Sequence, residues 1–245
     1  MRNFIFVFVC FLLTTFIAEA QSYFGPVNIS NKDIQDAIIY GPANLKQVNA
    51  QSLTITGPLE FNDLKVKGVV TVHGPIINSQ DLTCKKLLVT GPLRAKHINC
   101  DDLAVIGTTE TEDLVVKKNI DITGSFTGKK IKCATLVVTG TVDITDFNIS
   151  EDAKIIGHTK VSYGSINDVE MLSNEIILHD VELNNITINK NQDKNNDKNE
   201  HLYLKGKTLV KGNITFISGK GIIIKGPNVQ INGKVSGAVI KSENT

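Results

Sequence analysis

The chain has 245 residues, and its 26 basic and 25 acidic side chains leave a formal net charge of +1. That balance provides no basic excess to hold a nucleic-acid backbone, so nucleic acid is not an expected partner. Tryptophan is absent and aromatic residues make up 6%, which leaves little material for an aromatic-rich globular core or for stacking platforms in a carbohydrate cleft.

The first twenty residues read as a leader. Arg2 gives a short positive start, Phe4 to Ile17 is apolar, and Ala18-Glu19-Ala20 has the small-x-small form of a cleavage site. The spacing predicts a signal peptide over 1–20 and a mature chain from Gln21, still at net charge +1 because Arg2 and Glu19 leave together. The apolar run is shorter than the ~20 residues a spanning helix needs. No second such run follows, so no transmembrane segment is expected after cleavage. Cys10 lacks the small residues before it that a lipoprotein site would show. The expected location is exported: periplasmic, cell-surface or secreted.

From Phe24 to Val181 the chain is punctuated by glycine. Gly25, Gly41, Gly57, Gly74, Gly91, Gly107, Gly124, Gly140 and Gly157 recur every 16 or 17 residues, and the first five are each followed by proline. Asn174 occupies the next slot and is expected to take a left-handed backbone in place of glycine. A fixed period of this length marks a solenoid.

Apolar residues keep constant offsets from each glycine. Two before it stand Ile39, Ile55, Val72, Val89 and Val105; two after it stand Val27, Ala43, Leu59, Ile76 and Leu93; nine after it stand Ile34, Ala50, Val66, Cys100 and Val116. Short bursts of period-two alternation are strands with one buried face. The predicted fold is therefore all-β: a single-stranded parallel β-helix (β-solenoid) with three short strands per turn of 16–17 residues and a roughly triangular section. The turn from Gly74 carries one extra residue, which moves its apolar pair to Leu82 and Cys84. Glycine is expected to supply positive φ at a corner, and proline suits a corner because it has no N–H donor.

The regular solenoid is expected over 21–188. Residues 189–200 read NKNQDKNNDKNE, a polar, asparagine-rich segment predicted to be a flexible corner insertion. The apolar pattern resumes at Leu202 and predicts about two less regular closing turns over 201–240, then a frayed tail at 241–245.

No catalytic, cofactor-binding or metal site is expected. Cys84, Cys100 and Cys133 share one inward ladder, either as small buried hydrophobes or, for Cys84 and Cys100, as a disulfide between neighbouring turns. His73, His97, His158 and His179 fall at unrelated offsets. Asp101, Asp102, Glu110, Glu112 and Asp113 form a loose acidic patch, but the turns are too short to wall a cleft, and Arg94 is the only arginine of the mature chain. Thr54, Thr56, Thr71, Thr90, Thr123 and Thr139 would face outward in an array of the kind that binds ice, interrupted by His73, Ile106, Asp121 and Lys154. Asn28, Asn148, Asn185 and Asn213 each begin an Asn-x-Ser/Thr sequon.

Stretches such as Leu88-Val89-Thr90-Gly91-Pro92-Leu93 and Ile231-Asn232-Gly233-Lys234-Val235-Ser236-Gly237 resemble the repeats of the bactofilins, polymer-forming β-helical proteins of bacteria. The resemblance is at the level of the repeat. It implies a coil that associates end to end. Bactofilins typically lack a cleaved leader, so the leader here implies an envelope or secreted relative. The expected function is an exported, non-enzymatic structural or surface-interaction β-solenoid that self-assembles as a homo-oligomer or filament. The alternative is a carbohydrate-binding or carbohydrate-cleaving β-helix on a cell-envelope or polysaccharide surface.

Overall fold

A computed structural model describes residues 20–190 and 199–243. The expected leader, apart from Ala20, lies outside the described residues, as do 191–198 of the expected insertion and 244–245 of the tail. The described chain is all-β, a parallel β-solenoid of about 13 turns. Among the described residues no helix is long and apolar enough to cross a membrane.

The turn from Gly41 shows how sequence becomes corner and face. Gly41 sits at φ 140°, followed by the strand Ala43–Ala50, which bends at Gln47 (φ 52°); then comes the strand Ser52–Thr56, ending at Gly57. Residues 43–46, 48–50 and 52–56 make three faces, here called first, second and third. The first two are one continuous strand bent at a left-handed residue. Further along, the strands Val142–Ile156, Thr159–Leu172 and Glu175–Ile188 run round all three faces without a break.

Consecutive turns pair in register, so like stacks on like. On the third face Ala37, Leu53, Val70, Leu87, Leu103, Ile120, Leu136, Ala153, Val169, Ile186 and Ile214 form one ladder. None of them is more than 3% exposed. Burying each larger aliphatic contributes ~1.5–3 kcal/mol, and the ladders together form one continuous core along the axis.

The glycine slot has a second requirement besides positive φ. A Cβ on Gly41, Gly57, Gly74, Gly91, Gly107, Gly124, Gly140 or Gly157 would lie 1.9–2.7 Å from the carbonyl oxygen of the glycine one turn earlier. The backbones therefore stack too closely at this corner for any side chain. Asn174 corrects the expectation placed on it: it is not left-handed, and because Ile156 pairs with Leu172, Ser173 follows in the glycine register and Asn174 is one extra residue at this corner. The corner is held by Ser173. The Ser173 hydroxyl donates to the Glu175 carbonyl at 2.8 Å and accepts the Glu175 N–H at 3.2 Å.

The extra residue after Gly74 appears as a register shift in the strand Ile76–Thr83, with Asn78 at φ 49°. The bulge leaves the Phe61 N–H without a ladder carbonyl. The Ser79 hydroxyl, turned inward and 3% exposed, accepts that N–H at 3.1 Å and donates to the Ile77 carbonyl at 2.9 Å. Thr208 does the same in the first closing turn, accepting the Val181 N–H at 3.3 Å and donating to the Lys205 carbonyl at 2.6 Å.

Two further turns follow the insertion. The strand His201–Lys205 stacks directly on Glu175–His179, and Gly221–Lys225 stacks on that. Lys241 and Ser242, expected in the tail, belong to the last strand, Ala238–Ser242, opposite Ile224 and Lys225. A polar side chain does not prevent a backbone from pairing.

Candidate functional site

Two outward columns of the third face form a strip of mostly apolar and hydroxyl side chains, flanked by a column that carries Asp36, Lys86 and Asp102. Ser22 and Phe24, Ile38 and Tyr40, Thr54 and Thr56, Thr71 and His73, Leu88 and Thr90, and Ala104 and Ile106 lie in register over six successive turns. At ~4.8 Å per turn this strip is roughly 25–30 Å long and holds no Asp, Glu, Lys or Arg. Phe24 and Tyr40 stack at its end, with ring centroids 5.2 Å apart, and Phe24 and Ile106 are 79% and 63% exposed. Beyond it Asp121, Lys154 and Glu170 enter the same column. The expected threonines do face outward here, but His73, Ile106 and the later charges break the array as the sequence suggested.

The second candidate is the pair of ends. One ladder begins at Val27 and runs through Ala43, Phe126 and Ile176 to Leu202, Ile223 and Ile240. Another begins at Ile34 and runs through Ala50 and Ile166 to Leu183, Val210 and Ile231. Residues within these ladders are buried, as is Ile34 at one end, whereas Val27 and Ile231 are only half-buried and Ile240 is 48% exposed; Val235, which ends the ladder of Ile186 and Ile214, is half-buried too. Tyr23 is likewise half-buried at the first end. The terminal strands Gln21–Phe24 and Ala238–Ser242 are each paired on one side only. At the first end the ladder through Val48 and Leu64 ends on the exposed Lys32, so that end is only partly apolar.

The acidic residues singled out in the sequence are not brought together. Asp101 meets Lys117 at 2.7 Å at one corner, Asp102 accepts the Asn119 amide at 2.9 Å at the start of the third face, and Glu110 meets Arg94 at 3.2 Å on the first face. The Lys117 ammonium holds the Asp101 carboxyl below the usual range, and Asp101 in turn raises Lys117. These contacts join neighbouring turns and are used up structurally. Histidines are spread as expected: His73 lies on the uncharged strip, and His179 meets Asp180 at 2.9 Å and the edge of Tyr163 at 5.5 Å. Among the described residues no three His, Cys, Asp or Glu side chains are grouped to hold a metal ion.

The sequence reading missed two features. One is a second corner column six residues after Gly25, Gly41, Gly57, Gly124, Gly140, Gly157 and Asn174, where Asn31, Gln47, Asp63, Lys130, Asp146, Tyr163 and Asp180 are left-handed. Its signal, polar residues at one offset, resembles an ordinary solvated face. The other is a side-chain ladder along the corner before the third face. Asp168 accepts the Asn185 N–H at 2.9 Å, Asn185 Oδ1 accepts the Asn213 N–H at 2.8 Å, and Asn213 Oδ1 accepts the Lys234 N–H at 2.9 Å. This divides the sequons. The carboxamides of Asn185 and Asn213 hold the coil together, while Asn28 and Asn148 are exposed on strands.

No family model, no curated protein and no solved structure matches the chain.

Proposed function

We propose that the protein is an exported, non-enzymatic β-solenoid that serves as a structural or surface-interaction rod and assembles end to end. The observation that carries this reading is that, among the described residues, the apolar ladders are incompletely covered at their ends, Val27 half-buried and Ile240 48% exposed. Val27 at one end and Ile240 at the other terminate the same ladder, and Ile34 and Ile231 terminate another. A second copy stacked head to tail would continue both ladders, cover the half-buried apolar residues and pair the free strand edges. This is a heterologous contact that does not close, so it produces filaments. The bactofilin-like repeats and the leader support the same reading.

The test uses protein expressed with its leader in an exporting host. N-terminal sequencing should begin at Gln21, and electron microscopy should show unbranched filaments. Val27→Asp and Ile240→Asp should each abolish filaments, and an equimolar mixture of the two should stop at dimers, since each variant keeps one intact end. Filaments unaffected by either change would overturn the assembly.

One feature favours a second reading, contact with polysaccharide. The stacked Phe24 and Tyr40 rings stand at the end of a flat uncharged strip, the kind of platform on which sugar rings can lie. Retention of the protein on insoluble polysaccharide, lost in Phe24→Ala, would select that reading.

A further inference from the structure

The inward ladder nine residues after the corner glycines, ten after Gly74, is made of small and β-branched side chains: Ala50, Val66, Cys84, Cys100, Val116, Cys133 and Ile149. Its two adjacent cysteines lie sixteen residues apart in sequence and on neighbouring turns. Leu82 is in register with Ile98 and Thr83 with Asn99, and the Cys84 N–H donates to the Asn99 carbonyl at 3.0 Å. Cys84 and Cys100 therefore occupy the next rung together. Both are thiols in the structure, and they are 6% and 1% exposed. The ~4.8 Å between parallel neighbours falls within the Cα separation a disulfide accepts. The two thiols also interact: the Cys84 thiol is pushed up chiefly by the Cys100 side chain and then by burial. Cys133 provides an internal contrast. Val116 separates it from Cys100, and burial alone pushes it up, to about 12.

We propose that Cys84 and Cys100 form an oxidisable pair whose disulfide staples two turns of the solenoid from inside the core. The oxidant is an external disulfide, either a small-molecule dithio compound or the disulfide of an exchange protein. One cysteine thiolate attacks it and releases one thiolate; the second cysteine attacks the resulting mixed disulfide and releases the other. The chain loses two protons and two electrons and gains one S–S bond, and the oxidant becomes two thiols. Burial and the raised thiol limit this exchange in the closed coil, because the thiolate is the nucleophile. The bond therefore forms as the chain folds, before these turns are sealed. Once formed, it resists reductant until the coil opens. The inference is independent of whether the rod assembles.

The test is refolding of the full chain in a buffer containing glutathione disulfide, followed by alkylation under denaturing conditions and tryptic mapping. The expected product is a linked pair of peptides, 68–85 joined to 97–117, with Cys133 alkylated. Thermal unfolding should rise by on the order of 5–10 °C over the reduced protein, and the gain should vanish when reductant is added to unfolded but not to folded chain. Cys84→Ala and Cys100→Ala should each lose the linked peptides and the gain, and Ala50 shows that alanine fits this ladder. Cys133→Ala should keep both. Recovery of Cys84 and Cys100 as alkylated thiols after oxidative refolding would overturn the proposal, as would a bridge to Cys133.

Discussion

At the scale of single residues, the glycine column separates two effects that usually travel together. Gly25 and Gly157 both have positive φ, 82° and 131°. A Cβ on Gly25 meets nothing within 4 Å, while one on Gly157 would lie 1.9 Å from the Gly140 carbonyl oxygen. Gly25→Ala should therefore cost only the left-handed backbone term, about 1 kcal/mol. Gly157→Ala should cost at least about 3 kcal/mol, because backbone and not a flexible side chain must move. Denaturant unfolding of the two variants checks the difference, and equal losses would refute the packing argument. Thr109 makes the opposite case. Its hydroxyl is buried with no hydrogen-bond partner, in a ladder where neighbouring turns place Leu93 and Phe126. Thr109→Val should raise stability by about 1 kcal/mol by removing an unpaired polar atom, seen as a higher Tm. The sequence showed that Thr109 points inward, but it could not show that no acceptor lies within reach.

At the scale of one turn, irregularity is absorbed by a buried hydroxyl. The extra residue after Gly74 was legible as a phase slip, because the apolar pattern arrives late at Leu82 and returns at Leu87. The role of Ser79 was not legible, since which backbone N–H loses its partner depends on the turn beneath. Ser79→Ala should leave the Phe61 N–H unsatisfied and cost about 1–3 kcal/mol; Ser30→Ala, at an exposed residue, should be near neutral in the same unfolding assay. The Asp101–Lys117 contact is a turn-to-turn link with a readable pH sign. Asp101 is depressed when folded, so its contribution is full above the unfolded value of 3.8 and is lost as pH falls through the lower folded value. Lys117 is raised, so its contribution is full below 10.5 and is lost as pH rises through the higher folded value. Lys117→Met should flatten both limbs of the stability profile, and an unchanged acid limb would show that the pair contributes nothing.

At the scale of the whole molecule, the coil is a one-dimensional stack in which each turn contacts its neighbours. The insertion can be weighed in those terms. From Ile188 to Leu202 the chain uses 14 residues where the regular corner from Ile55 to Leu59 uses four. Both rims are anchored: the Asn189 N–H donates to the Met171 carbonyl at 2.7 Å and the His201 N–H to the Asn174 carbonyl at 2.9 Å. Deleting 191–198 leaves 14 − 8 = 6 residues across the corner, two more than the regular turn requires. The shortened protein should fold with a stability within about 1 kcal/mol of the parent, since loop closure depends weakly on length. A large loss would show that the segment packs on the coil. The proposed end-to-end assembly rests on the same one-dimensional logic.

The sequence by itself determined the period, the inward ladders, the phase slip at Gly74 and the point of insertion. Each of these is a local pattern repeated along the chain, and repetition makes a local pattern legible. Only the tertiary structure decided what depends on the neighbouring turn: the carbonyl that excludes a Cβ from the glycine slot, the ordinary backbone of Asn174, the left-handed column at Gln47 and Asp180. The same holds for function. An outward threonine or tyrosine reads identically wherever it lies, but stacking places Phe24, Tyr40 and the residues up to Ile106 on one uncharged strip. It also leaves Val27 half-buried and Ile240 48% exposed among the described residues, because each is paired with a neighbouring turn on one side only.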